Sequence, residues 1–99
     1  MNSKTIQHAA TRTIEVLARD YPDVRAKEIA IHDNPRYMQR RCIIADALHA
    51  LQQIPDMIGA GKIEAALYGL GAAHSALWCA GAMTKAEIEA INREAVAIV

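Results

Sequence analysis

The stretch from Ile63 to Gly81, IEAALYGLGAAHSALWCAG, constrains the fold more than any other part of the chain, because its apolar residues occupy most of a helical circumference. At about 100° per residue, Ile63, Leu67, Leu70, Leu77 and Trp78 share one arc with His74 near its centre. Gly69, Ala73, Ala76 and Ala80, with Ala65, Ala66 and Ala72, take the adjoining arc. Only Glu64, Tyr68, Gly71, Ser75 and Cys79 share the remaining sector. A helix this apolar needs cover on two sides. The bulky arc is expected in an ordinary core, and the small arc is expected to let another backbone approach closely. Glu64 and His74 interrupt the segment and a new helix starts soon after Gly81, which argues against a membrane span.

The neighbouring segments follow the same period. Helix one is predicted over Ser3 to Asp20, with Ile6, Ala10, Ile14, Leu17 and Tyr21 on its apolar side and His8, Arg12, Glu15 and Arg19 opposite. Tyr21-Pro22 ends it, since the residue before proline is pushed out of the helical region. Asp23 to Asp33 fits no period well and is read as one or two helical turns capped by Asp23. Asn34-Pro35 is an N-cap with proline at the first helical position, opening helix two, which runs to about Ile54 with Tyr37, Ile43, Ile44, Ala47, Leu48 and Leu51 on its apolar arc. Pro55 to Gly61 reads as a kinked connector, so helices two and three form an antiparallel αα-hairpin. Thr84-Lys-Ala-Glu87 is a capping box, Gly81 is placed to end helix three in a left-handed conformation, and Ile88, Ile91, Ala95 and Ile98 form the last buried stripe.

These signals predict one all-α domain over residues 1–99, a bundle of about four helices around a central αα-hairpin. Twenty alanines and no phenylalanine agree with that class. At 99 residues the chain can bury one modest core, a size at which a homodimer often completes it. Eleven basic and eleven acidic residues cancel, which leaves no electrostatic footprint for non-specific nucleic-acid binding. The charges are uneven, with eight Lys/Arg against five Asp/Glu from Met1 to Arg41 and three against six from Cys42 to Val99. That imbalance implies attraction between elements or between chains. No apolar leader follows Met1-Asn-Ser-Lys, so a cytoplasmic location is expected, with Cys42 and Cys79 as free thiols unless the hairpin register brings them together as a disulfide.

Few residues offer chemistry. His74 lies mid-stripe and is read as a core histidine held neutral by a neighbour such as Asp46 or Asn92, because buried polar groups find partners. Cys42, Asp46 and His49 align on helix two, but with no paired metal-ligand motif that face is read as solvated, and neither metal nor cofactor is expected. Gly59-Ala-Gly61-Lys62 lacks the strand and spacing of a phosphate loop. No catalytic constellation is present, so the chain is not expected to be an enzyme. Arg36, Tyr37, Arg40 and Arg41 form the one basic cluster. Arginine and tyrosine are enriched at interface hot spots, and these four are the candidate partner-binding residues, suited to an acidic surface.

The segment GLGAAHSALWCAGAMTKAEIEAIN, through Gly71, Leu77-Trp78, Gly81, Thr84, Glu87-Ile88 and Asn92, resembles small helical proteins of unknown function encoded by bacteriophages and integrated elements. The resemblance covers residues 62–99, and Tyr68 to Leu70 and Ala72-Ala73 are smaller and less aromatic than that pattern. It implies a phage-type accessory protein that acts on a host protein or complex, for instance by blocking it, and it implies no catalytic residues. A structural homo-oligomer and a small nucleic-acid-binding regulator are the alternatives.

Overall fold

The computed structural model describes residues 1–26 and 35–98, without the side chains of 35–39. Among these, four long helices and one short one make up the fold: α1 (Ser3–Asp20), α2 (Pro35–Gln52), α3 (Ile54–Gly59), α4 (Ile63–Cys79) and α5 (Lys85–Val96). The all-α bundle is as expected. Helix α4 packs against α2 in the hairpin, α1 lies across both, and α5 packs on α1. The smallest dimension is 19 Å. That is about two helix diameters, so the described helices pack in two layers.

The helix ends obey local chemistry. The Asn2 side chain accepts the Thr5 N–H at 3.0 Å and caps α1. Thr84 Oγ1 accepts the Glu87 N–H at 3.1 Å while Glu87 Oε1 accepts the Thr84 N–H at 2.9 Å, which closes the expected capping box. Gly81 has φ 71°, and the Ala82 N–H reaches back to Leu77 O at 2.9 Å, the six-to-one bond of a Schellman motif. Gly61, with φ 77°, ends α3 the same way, its successor Lys62 donating to Met57 O at 2.8 Å. The predicted kinked connector is thus a six-residue helix with Pro55 in its first turn, where the missing N–H costs no hydrogen bond.

Two predicted assignments change. Residues 21–26 form a turn, the Val24 N–H bonding Tyr21 O at 3.1 Å, and the Asp23 carboxylate takes Arg41 instead of capping a helix. The remainder of that segment and Asn34 lie outside the described residues. On α4 the buried side chains are Ala66, Leu70, Ala73, His74 and Leu77. The buried sector straddles the boundary between the two predicted arcs, because α2 takes the small residues and α1 the flank carrying His74. Leu67 and Trp78, at the outer margin of the bulky arc, therefore stay exposed. Ile98 is exposed as well, since α5 ends at Val96 before reaching it.

The charge asymmetry is partly answered within the chain. Arg12 Nε meets Glu94 Oε2 at 3.3 Å, Arg19 Nη2 meets Glu87 Oε2 at 3.7 Å and His8 Nε2 lies 3.6 Å from Glu94 Oε1, so the basic side of α1 faces acidic residues of α5. Such half-exposed pairs contribute little stability but fix orientation.

Candidate protein interface

The basic cluster sits where the start of α2 meets the end of α4. Arg40 Nη2 donates to Tyr21 Oη at 2.7 Å and to Gly81 O at 2.9 Å, and the guanidinium carbon stands 5.7 Å from the centre of the Tyr21 ring, within range of a cation–π contact. One arginine thus joins the C-terminal turn of α1, the second turn of α2 and the cap of α4. Arg41 Nη1 donates to Asp23 Oδ2 at 2.8 Å and Arg41 Nη2 to Asp23 O at 2.8 Å. That bond holds the Asp23 carboxyl below its ordinary pKa, with the Arg41 hydrogen bond as the main cause and the local backbone second. The side chains of Arg36 and Tyr37 lie outside the described residues. Tyr21, Asp23, Val24, Arg40, Arg41 and Ile44 line a half-open cavity of about 150 Å³.

A second feature lies on α4. Tyr68 is 80 % exposed, Trp78 54 % and Leu67 42 %, and Gly71, Ala72 and Ser75 beside them are also open. They line one outer face of the helix, whose opposite face is buried. Trp78 is three residues from Gly81, and its carbonyl accepts the Gly81 N–H at 3.0 Å, so this face ends at the turn that Arg40 grips. Sequence reasoning missed the exposure of Leu67 and Trp78, because a helical wheel ranks residues by hydrophobicity and cannot say which sector the neighbours cover.

His74 is buried as predicted, with a different partner. Its Nε2 lies 2.9 Å from Thr13 Oγ1, and Thr13 Oγ1 also lies 2.8 Å from Ala9 O. Thr13 has one hydroxyl proton. Given to Ala9 O in the usual helical back-bond, it leaves His74 Nε2 as the donor, which assigns the Nε2–H tautomer. Burial pushes the imidazole pKa below its ordinary value, which favours the neutral ring. Asp46 is exposed on α2, beside a groove lined by Ile43, Ala47 and Ala72, and Asn92 is half-buried on α5 with its Oδ1 unpartnered among the described residues. Neither hydrogen-bonds His74. The signal that could have found Thr13 was its place among Ala9, Ala10 and Val16 on the buried side of α1.

Cys42 is half-buried and Cys79 exposed, and both are free. Among the described residues no three His, Cys, Asp or Glu side chains gather as metal ligands, Cys42, Asp46 and His49 included, and no helix is long and apolar enough to cross a membrane. The fold and surface define a small all-α bundle with an aromatic outer helix face and a structured arginine at one end. Comparison with protein-family models, characterised proteins and solved structures finds no match to this chain.

Proposed function

We propose that this chain is a non-enzymatic accessory protein that acts by binding a protein partner. The observation that carries this reading is the outer face of α4, where Tyr68, Trp78 and Leu67 stand exposed on a rigid helix. Large aromatic side chains held in water are characteristic of contact surfaces, since Trp and Tyr contribute most when a partner desolvates them. The structured Arg40 supports the reading, because it places a cation at the turn where the same helix ends. Arg41 spends part of its charge on Asp23, which favours a protein over a phosphate backbone as the partner. The phage-type assignment, and with it action on a host complex, rests on the resemblance of residues 62–99. A homodimer through α4 is the form in which the same face would serve assembly instead.

The experiment is affinity capture of the tagged chain from bacterial lysate, run beside the Tyr68→Ala/Trp78→Ala double variant, with light scattering on both purified proteins. One protein complex retained by the parent chain and lost by the double variant supports the proposal. Equal capture by both refutes the α4 face as the contact. A dimer that dissociates in the double variant, with nothing else captured, transfers the face to self-assembly.

A further inference from the structure

We infer that the cavity between Tyr21, Val24 and Ile44 receives one apolar side chain of an acidic partner segment, and that Arg40 binds the carboxylate next to it. This rests on the protein-binding reading above and names the chemistry of what is bound. The volume of about 150 Å³ is that of a site able to hold a benzene-sized group, so a leucine or phenylalanine side chain fits. The apolar walls come from Val24, Ile44 and the Tyr21 ring, with Ile44 itself almost wholly buried beneath. A larger cavity of about 490 Å³ shares Tyr21, Val24 and Ile44 and continues along Leu17 and Leu48. The site is therefore the end of a groove, shaped for a length of chain and not for an isolated ion.

The charges at the rim select the sign of the ligand. Arg41 is balanced by the Asp23 carboxylate. Arg40 has only the neutral oxygens of Tyr21 and Gly81 as partners, both on Nη2, so among the described residues no carboxylate pairs with it and no acceptor takes its Nε–H or Nη1–H. Two hydrogen bonds and the ring beneath already fix the guanidinium. A carboxylate arriving there meets a pre-positioned donor, and little side-chain entropy remains to be lost. A basic segment would be repelled, and a phosphate chain would leave the apolar walls unfilled.

The test uses phenylacetate as the probe and phenethyl alcohol as its neutral counterpart, each titrated into the isotopically labelled full chain and followed by NMR. Phenylacetate is expected to shift the Ile44 and Val24 methyl signals and the Arg40 Nε–H together, binding about threefold or more tightly than the alcohol, as an exposed ion pair supplies. Arg40→Gln should bring its affinity down to that of the alcohol. Val24→Phe, which fills the cavity from its wall and keeps Arg40, should abolish the Ile44 methyl shift. Equal binding of the two probes, or no shift at Ile44 and Val24, overturns the inference on the parent protein alone, whatever Arg40→Gln does to folding. A dimer that phenylacetate dissociates gives the groove to a second copy of the chain and overturns it too. If lysate capture succeeds but is insensitive to both variants, the binding reading stands and this inference falls. If the cavity takes phenylacetate selectively and no protein is captured, the binding reading falls and the partner segment inferred here falls with it.

Discussion

His74 Nε2 and Thr13 Oγ1 stand 2.9 Å apart across the α1–α4 contact, both buried, and this bond is the polar link inside an otherwise apolar interface. Thr13→Val keeps the shape and removes the acceptor, leaving a buried N–H without a partner. The expected cost is about 1–3 kcal/mol, read as a lower urea midpoint with unchanged m-value. A loss below a few tenths would mean that water replaces the hydroxyl.

The same histidine gives stability a pH dependence. Burial sets its folded pKa below the ordinary value of 6.5, so near neutrality both states hold a neutral ring and nothing is lost. As pH falls below about 6.5 the unfolded chain takes up a proton that the folded chain resists, and stability drops until the folded pKa is passed. Urea midpoints between neutral and mildly acidic pH should fall more steeply in the parent than in His74→Gln. Parallel slopes would remove His74 from the account, since the two proteins differ at no other residue.

Gly81 and Gly71 should respond in opposite directions to alanine. At φ 71° Gly81 holds a conformation that a Cβ disfavours, and Gly81→Ala is expected to cost about 1–2 kcal/mol although nothing crowds the site. Gly71 sits within α4, where an added Cβ meets open space, so Gly71→Ala should add about 0.5–1 kcal/mol. Thermal unfolding of the pair reads both, and a destabilised Gly71→Ala would show that the outer face of α4 is covered.

Removing the cap of α5 should loosen that helix. Thr84→Ala takes away the acceptor for the Glu87 N–H and the hydroxyl donor to the Glu87 carboxylate, at an expected cost of about 1 kcal/mol. Hydrogen exchange should then accelerate in the first turn of α5 and leave α4 unchanged. Uniform acceleration across the chain would instead mean that α5 and the hairpin unfold together.

By itself the sequence determined the four long helices and most of their ends, though not the short helix α3. Period, proline and caps act within a few residues, so the start of helix one at Ser3, Pro35, Gly81 and the Thr84–Glu87 box could be read without any partner in view. It also carried the basic side of α1 and the acidic residues of α5, though not that Arg12 and Glu94 would meet. Tertiary structure alone decided which sector of α4 is buried, because that depends on where α1 and α2 cross it, and a wheel contains no neighbours. The same reason gives His74 to Thr13, far away in sequence, instead of to Asp46 or Asn92. It also turns Arg40, one of four candidate partner-binding residues when read along the chain, into the side chain that binds Tyr21 and Gly81 and lines an apolar cavity.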